Sequence, residues 1–122
     1  MPAEKQIVEA FDKVASEIPG FIAAALVDID SGMTLGVKSM RPDFDLAAAS
    51  AYNSEMVKQK QKIMKALNLR TTLEDMLITL GDQIHVIRLV SPTTFVYLCV
   101  DRSQSNLAIV RNVLAKHSHA FS

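Results

Sequence analysis

Apolar positions recur with two periods along the 122 residues, and the alternation between them lays out a succession of elements. From Glu4 to Ile18 the larger apolar side chains fall at Ile7, Phe11, Val14 and Ile18, a spacing that puts them on one stripe of a helix. Pro19-Gly20 stops that helix. Phe21 to Ile29 is apolar at odd and even positions alike, which in a strand means that both faces are covered and the strand is interior to its sheet. Asp30-Ser31-Gly32 supplies turn chemistry, and Met33 to Lys38 returns as the antiparallel partner. In the loop Arg41 to Asp45, Asp43 or Asp45 can accept the free amides of a first helical turn, and a long helix follows to about Asn68. Glu74 to Leu80, Gln83 to Val90 and Thr94 to Val100 read as a meander of three strands, parted by Gly81-Asp82 and Ser91-Pro92-Thr93. Ser103 or Ser105 is expected to cap a last helix carrying Leu107, Val110, Leu114 and His117, with a frayed tail beyond Ser118.

The order is helix, two strands, long helix, three strands, helix. Short loops between successive strands make the sheet mostly antiparallel, so the class is α+β. The strand Thr94 to Val100 is also apolar on both sides, so helices must lie on both faces. No repeat, low-complexity segment or long linker divides the chain, and residues 1–122 are expected to form one domain.

The long helix carries the strongest functional signal. At 100° per residue, Leu46, Ala49, Tyr52, Met56, Val57, Ile63, Met64 and Leu67 fall within an arc of about 140°, wider than one sheet contact needs. Asn53 and Lys60 sit inside that arc. Ala47, Ala48 and Ala51 occupy the side where a solvated helix carries charge, whereas Lys58, Lys62 and Lys65 project from the second half with Glu55 as the nearest acid. A helix packed against a second chain as well as its own sheet shows this pattern, and a homodimer is expected. The alternative is that the alanines are helix formers on a wet surface and that Asn53 caps a neighbouring loop. The run Met76 to Leu80 favours the dimer: a meander that begins with this strand leaves it at an edge, and a bare apolar edge calls for a partner. The expected interface is Ala48, Ala51, Tyr52, Asn53, Met56, Lys60 and Ile63 with Leu77, Ile78 and Thr79.

Composition narrows the function classes. The 13 basic and 13 acidic residues cancel, which argues against a charge-driven nucleic-acid binder. No window approaches the ~20 apolar residues of a membrane helix, so no insertion into a membrane is expected. Glu4, Lys5 and Gln6 interrupt the start of the chain where an export signal needs an apolar stretch, and a cytoplasmic location is expected. The single cysteine excludes an internal disulfide and fits a reducing compartment.

Candidate chemistry is sparse. There is no P-loop, dinucleotide fingerprint, zinc-protease motif or nucleophile elbow, so no catalytic residue, cofactor or metal ligand is assigned. Cys99, in a two-sided strand, reads as a small buried hydrophobe with a raised pKa. His85 alternates with Ile87 and Leu89 as core or interface filler. His117 and His119 lack a third ligand, and His117 favours the helix C-terminus electrostatically.

Three stretches in order resemble the Roadblock (dynein light chain) family: Ile18 to Gly32, with its opening strand and Asp-Ser-Gly turn; Asp45-Leu-Ala-Ala-Ala at the start of the long helix; and Val100 to Arg111, where the last strand runs into the final helix. The resemblance spans about Ile7 to Lys116. It implies a five-stranded antiparallel sheet with the long helix on one face and the two terminal helices on the other. It further implies a homodimer joined through the long helices and the middle-strand edge into one continuous sheet. Members of the family act as scaffolds and regulators of small Ras-like GTPases; bacterial ones are often encoded beside such a GTPase, and some accelerate its hydrolysis. Asn53 and Lys60 within the apolar arc depart from the family pattern.

On that resemblance the expected function is a homodimeric, non-enzymatic regulator or scaffold of a Ras-like GTPase that positions the partner's switch loops. Residues 1–56 hold four basic and nine acidic groups and residues 57–122 nine and four. The lysine face of Lys58, Lys62 and Lys65 is accordingly the expected docking surface for an acidic partner, and Arg41 is the best-placed arginine for insertion into a partner's site. Two other readings stay open: a ligand-sensing or assembly module with a cavity lined by Cys99, His85 and Tyr97, and a basic-helix adaptor for nucleic acid or anionic lipid.

Overall fold

A computed structural model describes residues 2–122. The chain runs α1 (Glu4–Glu17), β1 (Phe21–Asp28), β2 (Thr34–Ser39), α2 (Leu46–Ala66), β3 (Asp75–Thr79), β4 (Gln83–Leu89), β5 (Thr94–Asp101) and α3 (Leu107–His117), followed by a 3-10 turn, Ser118–Phe121. The strands form one antiparallel sheet in the order β2-β1-β5-β4-β3, which leaves β2 and β3 as its edges.

Both sheet faces are covered, and the two-sided strands show why. Ile22 to Val27 of β1 and Thr94 to Val100 of β5 are buried without a break, because alternate side chains enter two separate cores. One core joins Ile7, Phe11 and Val14 of α1 and Val110 and Leu114 of α3 to Ala24, Leu26, Val86, Val96 and Leu98. The other joins Leu46 and Val57 of α2 to Ala23, Ala25, Val27, Ile87, Phe95 and Tyr97. The long helix thus lies on one face and the terminal helices on the other, as the resemblance implied.

Two expectations at the C-terminus are corrected. The cap of α3 is Asn106, whose side chain accepts from Ile109 N at 3.0 Å; neither Ser103 nor Ser105 holds that place. Ser103 instead closes a turn onto the Asp101 carboxylate, at 2.8 Å from its amide and 2.7 Å from its hydroxyl. The tail is not frayed. Phe121 is fully buried with its ring centroid 4.6 Å from that of Phe11, and this contact holds the 3-10 turn against α1. His117 does more than favour a helix end: it bonds to Glu17, which also pairs with Lys116, so one carboxylate ties the end of α1 to the end of α3.

Candidate interaction surface

The orientation of α2 decides what the molecule presents to partners. Asp45 caps the helix by accepting from Ala48 N at 3.0 Å. Its buried line is Leu46, Ser50, Ser54, Val57 and Met64, which includes two serines. The Ser54 hydroxyl donates to the Ile29 carbonyl, so that polar group is buried at no loss of hydrogen bonding, whereas Ser50 Oγ has no partner. The sheet therefore meets only one margin of the apolar arc. The rest is left on the surface: Tyr52 is 78% exposed, Leu67 64% and Ile63 38%.

The two flanks of α2 differ in kind. On one flank the helix is tied to its own chain: Lys58 Nζ donates to the Asp30 carbonyl at 3.2 Å and pairs with Glu55 at 3.1 Å. Ala51 lies there too. Gly32, at φ +73°, approaches it so closely that a Cβ on Gly32 would stand 3.2 Å from Ala51 Cα. The missing side chain of Gly32 therefore lets the loop pack against the α2 backbone at Ala51. Ala48, one turn before Tyr52, shares the other flank with Tyr52, Asn53, Met56, Lys60 and Ile63, so the structure groups these six of the expected interface residues on α2 and sets Ala51 apart.

That second flank looks over the outer strands. Asn53 is at the Tyr97 hydroxyl rather than capping a loop. Tyr97 Oη lies 3.2 Å from His85 Nδ1, and His85 Nε2 lies 2.8 Å from Gln83 Oε1. The amide oxygen only accepts, so the ring proton is on Nε2 and Nδ1 accepts from Tyr97. Burial holds His85 below its ordinary pKa and pushes the Tyr97 hydroxyl up. Cys99 Sγ donates to the same Gln83 oxygen at 3.4 Å, and burial pushes its thiol up to about 11. Cys99, His85 and Tyr97 are thus knit to one another through Gln83 rather than arranged around a cavity.

Beyond this cluster lies β3, an edge of the sheet. Ile78 is opposite His85 and shares the α2 face, while Leu77 and Thr79, opposite Val86 and Ile84, face the terminal helices. Asp75, at the head of β3, is held by Arg111 at 3.2 Å and Arg88 at 3.8 Å. Lys60 lines one hollow with Glu74 and Asp75, so the open flank of α2 and the start of β3 adjoin.

The expected partner-binding residues are not all brought together. Lys62 and Lys65 are exposed and without ion-pair partners among the described residues, whereas Lys58 is engaged by Glu55 and Asp30. Arg41 is at the other end of the sheet, beside Asp101 and Gln104; the eight-residue strands put roughly 20 Å between the ends. Among the described residues no group of three or more His, Cys, Asp or Glu is arranged to hold a metal ion, and no helix is long and apolar enough to cross a membrane. A further feature escaped the sequence reading: a groove where Met64 and Lys65 meet Leu69, Leu73, Leu89 and Pro92. Its signal in the chain is the pair of leucines at 69 and 73, outside any periodic element.

No protein-family model matches the sequence, and no curated relative does. Solved structures match the fold along nearly the whole chain. MglB of Myxococcus xanthus superposes with a TM-score of 0.85 at 14% identity, covering 95% of this chain and 84% of that one. An MglB in a tetrameric arrangement gives 0.85 at 16% identity, covering 97% and 86%. A Roadblock/LC7 domain from Streptomyces avermitilis gives 0.79 at 12% identity, covering 98% and 94%. TM-scores of 0.79 to 0.85 over nearly the whole chain at such low identity establish the architecture itself: this chain has the Roadblock/LC7 fold, as MglB does.

Proposed function

We propose that the chain is a homodimeric, non-enzymatic regulator or scaffold of a small Ras-like GTPase. The observation that carries the dimer is the adjacency of an unpaired sheet edge, β3, to a helix flank that exposes Tyr52, Ile63 and Leu67. An edge strand presents a row of free backbone donors and acceptors, and a two-fold axis beside it pairs that row with its own copy while burying the apolar flank of α2. The tetrameric arrangement of one MglB structure supports self-association as a property of this fold.

The GTPase partner rests on the likeness to Roadblock and MglB structures together with the three stretches of sequence that resemble the family. Lys62 and Lys65 supply an exposed positive rim that speeds encounter with an acidic surface. Arg41, distant from that rim, is poorly placed to enter the same partner site, which favours holding the partner's switch loops over inserting an arginine. The test is binding of a purified Ras-like GTPase from the same genome, loaded with GDP or with a non-hydrolysable GTP analogue. A preference for one nucleotide state is expected, with weaker binding and a shallower salt dependence in the K62E/K65E variant. Equal binding to both states, or none, would remove the GTPase from the account while leaving the dimer untouched.

A further inference from the structure

The groove at the C-terminal end of α2 has a volume of about 500 Å³ and lies between that helix, the segment leading to β3, and the turn joining β4 to β5. Its floor is apolar, made by Met64, Leu69, Leu73, Leu89 and Pro92, and the hydroxyls of Thr71, Thr72 and Ser91 stand around it. Lys65 lines one wall, with Lys62 on the adjacent turn of α2 and Arg70 between two lining residues. None of these three cations has an ion-pair partner among the described residues, and the chain carries no acid between Met56 and Leu73. Of the acids that follow, Asp75 is held by Arg88 and Arg111, and Glu74 lines the neighbouring hollow with Lys60. The groove therefore combines a hydrophobic floor with a positive rim that the chain itself leaves uncompensated.

We infer that this groove is a docking site for an acidic amphipathic segment of a protein partner, which seats a bulky apolar side chain on the floor and sets carboxylates against Lys62, Lys65 and Arg70. The floor is recessed between three elements, so it takes a side chain reaching in rather than the flat surface of a bilayer. Rim cations around a buried apolar anchor give such a contact its orientation and its salt dependence. The groove adjoins the flank of α2 assigned above to a second copy, sharing Met64, Leu69 and Leu73 with the hollow that Lys60 lines, but its rim faces away from that flank: Lys65 projects about 80° to one side of the inward-facing line through Val57 and Ile63 about 120° to the other. It does not require the partner to be a GTPase.

The test uses the full chain and a fluorescein-labelled peptide of glutamate and leucine, with leucines at every third and fourth position, against its lysine-leucine counterpart and against phosphatidylglycerol vesicles. Saturable anisotropy is expected for the acidic peptide alone, with amide NMR shifts confined to Gln61 to Lys65, Leu69 to Leu73 and Leu89 to Ser91. The K62E/K65E/R70E and Leu69→Ser variants should each weaken binding roughly tenfold, and all four positions are exposed so that the fold is retained. No saturable binding, equal binding of the basic peptide, shifts elsewhere, or retention on the vesicles in preference to the peptide would each overturn the assignment.

Discussion

Phe121 shows how much a single side chain at a chain end can hold. Its ring fills the space beside Phe11, and Phe121→Ala should lower stability by about 3–5 kcal/mol in urea unfolding, far more than a frayed tail would allow. The Glu17 carboxylate is held below its usual range, first by its bond to Lys116 and next by that to His117. A depressed carboxyl contributes stability above its unfolded pKa and loses it as pH falls through the folded value. The contribution of this carboxyl should therefore fade as pH falls below about 4.5, and Glu17→Gln should remove that part of the pH dependence of stability. Cys99 should resist thiol reagents at neutral pH in the native state and react fully after unfolding, because burial both encloses the sulfur and raises its pKa to about 11. Cys99 and the Asp45 cap were readable from sequence because each depends on neighbours along the chain. The place of Phe121 was not, since its partner Phe11 is at the opposite terminus.

Among the elements, α2 is the one whose orientation has consequences. Periodicity identified its extent and the breadth of its apolar arc, but not which margin of the arc faces the sheet. That choice turns on Ser50 and Ser54, polar residues that a hydrophobic pattern assigns to solvent, and on the bond from Ser54 to a carbonyl 25 residues away. The same geometry explains Gly32, whose missing Cβ admits the backbone of α2 at Ala51. Gly32→Ala should cost about 1–3 kcal/mol in thermal or denaturant unfolding, through its positive φ and the close approach to Ala51, while Gly81→Ala, with open space around it, should cost less. The β1-β2 hairpin and the β3-β4-β5 meander were readable because short loops force antiparallel neighbours, and the meander left β3 at an edge; the pairing of β1 with β5, which no short loop joins, was not. The groove beside α2 was not readable, for its walls come from three segments that no local pattern connects.

At the scale of the whole molecule, the account depends on the exposed margin of α2 and the edge of β3 being covered by another copy. Tyr52→Asp with Ile63→Asp places charges on two surface positions of the open flank, so it should leave circular dichroism unchanged while shifting the assembly to monomer. The salt dependence of self-association should be slight, because the surfaces to be joined are apolar side chains and backbone groups. Sedimentation equilibrium of the unmodified chain at high micromolar concentration is the most direct measurement. A homodimer sediments as a species of twice 13.4 kDa that the paired aspartate substitutions reduce to single chains; a stable 13.4 kDa species at that concentration would rule the dimer out.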